Sequence, residues 1–139
     1  MAKAQYAILR FSKYKGPEIG RIEAHDERTK EKYASNPDVD ASRSALNFHL
    51  IQPEHSYREE AQRQIAEAGC RVRSDSVKLV EVLIGGTPSF FKDKTQEQIR
   101  EYFEHALEFL KQKQRAETFA SAVVHLDEKT PHMHVTFVP

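Results

Sequence analysis

Three histidines, His125, His132 and His134, crowd into the segment HLDEKTPHMHVTFVP at positions 125–139. Neutral imidazole is the commonest side-chain ligand for transition metals. If residues 126–131 form a hairpin loop between two strands, His125 stands opposite His132, and directly opposed residues share a face of the sheet. His134, two residues further on, projects to that same face. All three imidazoles then converge. The opposite face would carry Ala122, Val124, Met133, Val135 and Phe137, an apolar set suited to a core. Three imidazoles with open coordination positions make a catalytic metal centre. The plainer reading is three surface histidines on a solvent-facing strand, and a lone His-x-His favours it. The third histidine at the hairpin register, with acids in the loop, turns the balance toward a metal. Zinc, manganese, nickel and iron all stay open by ligand type. Magnesium prefers oxygen ligands, which argues against it as the tightest binder of a histidine triad.

Other elements must hold this hairpin in place. Residues 118–126 and 132–138 supply its strands, and VKLVEVLI (77–84) is the most strand-like run in the chain. Residues 4–11 look like a further strand, and NFHLI (47–51) a short one. KYKGPEIG reads as a loop, with Gly16, Pro17 and Gly20 as breakers. Helices are expected over 21–34 and 55–68, the second closed by Gly69, and Asn36-Pro37 marks a turn. The clearest helix begins at Thr95, which forms a capping box with Gln98, and it carries Ile99, Phe103, Ala106, Leu107 and Leu110 at helical spacing. The expected fold class is α+β, an antiparallel β-sheet with helices packed on it.

The chain has 139 residues, enough for one domain with a core. Apolar residues make up 39% and charged residues 30%, and no apolar run approaches the ~20 residues of a membrane span. There is no signal-peptide-like start, and the single Cys70 cannot form an internal disulfide, so a cytoplasmic location is expected. The formal net charge is zero, which weighs against a nucleic-acid partner. Charge is nevertheless clustered: Lys3, Arg10, Lys13 and Lys15; then Arg71, Arg73 and Lys78; then Lys111, Lys113 and Arg115. Composition alone favours ordinary solvated surface for these.

The string His125-Leu-Asp-Glu-Lys-Thr-Pro-His132-Met-His134 resembles the histidine motif of the plasmid mobilisation and recombination relaxases, the Mob/Pre (MobV-type) family of the HUH endonuclease class. AHDERTKEKYASNPDVDASRSALNFHLI resembles that family's N-terminal block. It has the His-x-x-Arg pair, the Asn-x-Asp-Val-Asp turn and the Arg-Ser…Asn-Phe segment. The resemblance covers most of the chain in the expected order. It implies an HUH relaxase-like core with His125, His132 and His134 as metal ligands, manganese being favoured and magnesium the alternative. It implies His25 as nucleophile, attacking a scissile phosphate to give a covalent 5′-phosphate–histidine intermediate that a 3′-hydroxyl later resolves. Without the family, an exposed helix histidine would be the better reading of His25.

Arg28, three residues on from His25, is expected on the same helix face, holding the phosphate or orienting the imidazole. Glu128 is the candidate proton acceptor for His25 or partner of a ligand, with Asp127 as competitor. Lys13, Lys15, Arg43, Asn47, Arg71 and Arg73 are candidate DNA contacts. Tyr14 and Tyr33 are fallback nucleophiles. The implied partner is single-stranded or hairpin DNA of a plasmid transfer origin. Family domains continue beyond the position of Pro139, so residues 1–139 are expected to be the N-terminal part of a relaxase domain, its core incomplete at the C-terminus. Self-association would use regions absent here. Three other readings stand beside nicking and rejoining: a non-catalytic DNA-binding remnant, an unrelated histidine-triad hydrolase or dioxygenase, and a structural zinc site.

Overall fold

The apolar run that starts at Val77 becomes β3 (Val77–Gly86), the strand on which β1 and β5 both pair. The computed structural model describes residues 7–28, 41–73 and 75–139. One sheet combines β1 (Ala7–Lys15), β2 (Phe48–Ile51), β3, β4 (Phe119–His125) and β5 (His132–Phe137) in the order β1-β3-β5-β4-β2. Every neighbouring pair is antiparallel. β5 therefore lies at the centre, bonded to β3 on one side and β4 on the other.

Side chains alternate across a strand, so the two faces of the sheet differ in composition. One face carries Val80, Val82, Ile84, Ala122, Val124, Met133, Val135 and Phe137, packed with Ile99, Phe103, Leu107 and Leu110. These last four belong to the long helix Gln96–Lys113, preceded by a short turn of helix at Pro88–Phe91; with Ile19–Asp26 and Tyr57–Ala68 they are α4, α3, α1 and α2. The α4 start is fixed as a capping box: Gln98 N–H donates to Thr95 Oγ1 at 3.1 Å, and Thr95 N–H donates to Gln98 Oε1 at 2.9 Å. On the opposite face Leu79 and Val138 pack with Ile19 of α1 and with Tyr57 and Ala61 of α2. These helices cover only part of that face. The histidines lie on the rest of that face.

α2 starts at Ser56, whose hydroxyl accepts from Glu59 N–H, and ends at Gly69 with φ 65°, a left-handed turn that glycine takes at little cost. β1 runs further than expected, to Lys15, because the whole strand finds partners along β3, from Ala7↔Gly86 to Lys15↔Val77. The expected loop shrinks to a 3-10 turn at Gly16–Glu18, and α1 begins at Ile19 and stops at Asp26. Positions 4–6, the expected helix beyond 28, the Asn36-Pro37 turn and Tyr33 lie outside the described residues.

Candidate active site

The β4–β5 register places His125 opposite His132 and Val123 opposite His134, so the three imidazoles share one face as the spacing requires. Ring centroids are 5.3 Å apart for His125–His132, 4.7 Å for His125–His134 and 4.9 Å for His132–His134. The last turn of α1 brings in His25, 6.0 Å from the His125 ring and 5.6 Å from the His134 ring. Donor atoms within 4.8 Å of one another form overlapping sets: His25, His125 and His134; then His125, Glu128 and His132.

Burial favours the neutral form of His25, His125 and His134, the form that metal ligation and nucleophilic attack require. Burial, and next the Arg28 charge, lowers the His25 pKa. Burial and the neighbouring His134 lower that of His125, and burial with His132 and His25 lowers that of His134. His134 Nδ1 bonds the Glu81 carboxylate, and its buried Nε2 has no partner among the described residues. A proton on Nδ1, held by Glu81, leaves the Nε2 lone pair free, which is the tautomer a metal needs. His125 is more engaged: Nε2 lies 2.7 Å from the Asp26 carbonyl oxygen and Nδ1 3.1 Å from Arg28 Nη2. A cation at His125 would replace one of those bonds.

Behind His134 lie two buried carboxyls, Asp26 and Glu81. Burial pushes both up, and the Glu81 charge raises Asp26 further. An ionised Asp26 would have two buried oxygens with no hydrogen-bond donor among the described residues, so its site favours the protonated form. Asp26 and Glu81 escaped the sequence reading. Glu81 had a signal, as the only acid inside the apolar run VKLVEVLI.

Arg28 differs from its expected placement. The helix ends at Asp26, and Arg28 has φ 55°, off any helix face. Its guanidinium is a clamp. Nε and Nη2 donate to the two Asp127 oxygens at 2.7 and 2.8 Å, Nη2 also donates to Glu128 Oε1 at 2.7 Å, and Nη1 donates to the His25 carbonyl at 2.6 Å. Asp127 is fully buried, and Ser44 Oγ donates to it at 2.6 Å. Burial would raise its carboxyl, but the bonds from Arg28 and Ser44 outweigh that and hold it well below the usual range. Asp127 is thus committed to Arg28. Glu128 is the acid nearer the chemistry, its Oε1 3.9 Å from His25 Nε2 and 3.6 Å from His132 Nε2.

The candidate DNA contacts divide. Asn47 is bound into the fold, its Oδ1 accepting from Leu126 N–H at 2.6 Å. Arg43 is exposed on the 3-10 turn Ala41–Leu46, beside the clamp residue Ser44. Lys13 pairs with Val80, on the α4 face of the sheet, and Lys15 lies at the bulge beyond Tyr14. Arg71 and Arg73 precede β3, roughly 20 Å along the strand from the histidines at ~3.3 Å per residue. Tyr14 packs with the cluster beneath α1 and α2, away from the imidazoles.

Fold and site together define an α+β protein with a metal-competent histidine centre on an antiparallel sheet. The model of the plasmid recombination enzyme family, Mob_Pre, matches residues 3–139, and the chain belongs to that family. It is 36% identical over 139 residues to plasmid recombination enzyme type 3 of Staphylococcus aureus, covering 96% of this chain and 33% of the relative. A plasmid recombination enzyme of Lactiplantibacillus plantarum is 36% identical over 138 residues, covering 96% of this chain and 38% of the relative. The chain thus spans about a third of the length of these relatives. Its fold is that of the MobM relaxase domain, solved with manganese and bound to plasmid pMV158 oriT DNA. That comparison gives a TM-score of 0.90 at 34% identity over 96% of this chain and 70% of that one. A second manganese-bound structure of that domain gives 0.87 at 32%.

Proposed function

We propose that this chain carries the nicking and rejoining chemistry of a plasmid relaxase, acting on one strand of a transfer origin. Residues 1–139 then form the N-terminal part of a relaxase domain. The observation that carries this reading is the placement of His25. The His25 imidazole, delivered by the last turn of α1, faces the His125 and His134 rings, which one hairpin supplies together with His132. Family membership, and a similar domain solved on origin DNA with manganese, support it. They also weigh against an unrelated hydrolase or dioxygenase.

His25 attacks phosphorus through an unprotonated ring nitrogen. A P–N bond forms, the bond from phosphorus to the 3′-oxygen breaks, and the 5′-phosphate stays on the protein. The 3′-oxygen leaves and takes up a proton. The ring must then shed a proton, and Glu128, whose Oε1 stands 3.9 Å away, accepts it. The Arg28 guanidinium holds Glu128 in place while bracing the backbone of His25 itself. The reverse attack by a 3′-hydroxyl restores the strand. His125, His132 and His134, which fall into two overlapping donor sets completed by His25 and Glu128, would hold a divalent cation, manganese in first place, and His134 offers it a buried Nε2 with no partner among the described residues. Such a cation supplies Lewis-acid stabilisation of charge on the phosphate oxygens.

The test is incubation with single-stranded oligonucleotides from plasmid transfer origins and Mn²⁺. A denaturation-resistant protein–DNA band that needs the metal supports the reading. DNA binding with no covalent product on any origin strand would instead favour a non-catalytic remnant.

A further inference from the structure

A cleft of about 450 Å³ opens from the imidazoles toward the β1 edge of the sheet. Its walls include Ile8, Leu83, Pro88 and Pro131, and Arg10 is its only lysine or arginine among the described residues. The register explains how Arg10 arrives there. Arg10 pairs with Leu83, and Leu83 pairs with His134, so all three share the histidine face. Two strand spacings put Arg10 roughly 10 Å from His134. Its side chain is exposed, and no acid among the described residues pairs with it.

Gly85 is the second observation. It lies within a strand, where glycine weakens pairing and packing, and its φ is not positive. A Cβ there would meet His132 Cβ at 3.7 Å and the Pro131 carbonyl oxygen at 3.9 Å, both ordinary contacts. Neither backbone geometry nor crowding demands glycine. Gly85, opposite Ile8 in the β1–β3 register, lines the cleft, so a side chain longer than a methyl there would take up room inside it.

We infer that this cleft is a nucleotide subsite, taking one unpaired nucleotide next to the scissile phosphate, with Arg10 on a phosphate and the base or sugar along the wall that Gly85 leaves without a side chain. Volume and lining suit such a guest: apolar walls for a ring and one cation for a phosphate. Glu128 at the inner end does not repel the strand's charge unopposed, because Arg28 binds it at 2.7 Å.

The inference rests on the relaxase reading, but its test does not require covalent chemistry. A short fluorescent oligodeoxythymidylate is titrated with the chain in Mn²⁺ across a salt series, and affinity is read by anisotropy. Arg10→Gln should weaken binding and reduce the slope of log affinity against log salt by about 0.7, the loss of one phosphate contact on a single strand. Gly85→Leu should weaken binding about tenfold and leave the slope in place. Lys111→Gln, on α4 beyond the opposite face, should keep the wild-type curve. An unchanged slope in Arg10→Gln, or an equal loss in Lys111→Gln, overturns the inference. So does a folded Gly85→Leu that binds like wild type. Should Gly85→Leu fail to melt cooperatively, the Arg10→Gln slope decides. A chain that shows these losses yet forms no adduct on origin DNA keeps the subsite and loses the relaxase reading.

Discussion

Asp26 directly follows the proposed nucleophile, and its carboxyl is buried against Glu81 and His134. Its folded pKa is raised, so the stability it contributes is present below the unfolded value near ~3.9 and is lost as pH rises toward the folded value. Asp26→Asn cannot titrate. In EDTA its stability relative to wild type should therefore be greater near about pH 8 than near about pH 5, measured by urea denaturation. A difference independent of pH would contradict the assignment. His25, His125 and His134 act in the opposite direction, since their folded values are lowered and their contribution fades as pH falls, but both proteins share them. Glu81 is a positioning residue, setting the His134 tautomer. Glu81→Gln should lower Mn²⁺ affinity about 10- to 100-fold in calorimetry while the melting midpoint of the metal-free protein is kept. Equal affinity would mean that Glu81 does not set the tautomer.

At the scale of elements, α1 is tied to the hairpin loop chiefly through Arg28. Arg28→Ala would strand Asp127, which is fully buried, and should cost about 3–5 kcal/mol in chemical denaturation. Arg28→Lys should recover little of that, because an ammonium cannot reproduce the two-pronged contact with Asp127. Wild-type stability in Arg28→Ala would show that the clamp does not bind the two elements. This clamp was not legible from the sequence. An i, i+3 spacing from His25 suggests one helix face only if the helix continues, and here it does not. Glu27 is captured by Tyr57 Oη at 2.5 Å, the His49 ring at 2.7 Å and Ser121 Oγ at 3.3 Å. Those partners come from α2, β2 and β4, so a long-range pull ends α1 and turns Arg28 into the left-handed region. The hairpin was legible because a period of two and a register of opposed residues are local properties.

For the whole molecule, the sheet order explains how separated motifs meet. β5 sits centrally with β4 and β3 beside it, so Glu81 reaches His134 from one flank and His125 comes from the other. The α4 face forms a continuous apolar core, leaving the opposite face to divide between α1–α2 packing and the site. Composition could not show this: zero net charge says nothing of where the cations lie. Arg10 lies on the histidine face and Lys13 on the other, a distinction set by strand parity together with the β1–β3 register. The expected helix and loop bounds shifted where β1 pairing extended along β3. On the proposed reading Mn²⁺ binds only the folded state, so its addition at about 100 times its dissociation constant should stabilise the protein by about 2.7 kcal/mol. Replacing both His132 and His134 by alanine should abolish that shift in thermal melting. A full shift in the double variant would place the cation elsewhere.

Peptide mapping of the protein–DNA adduct identifies directly which atom takes the phosphate. An acid-labile phosphorus–nitrogen linkage should appear on the peptide containing His25, with no adduct in His25→Ala. An acid-stable linkage on a tyrosine, or undiminished adduct in His25→Ala, would contradict His25 as the nucleophile.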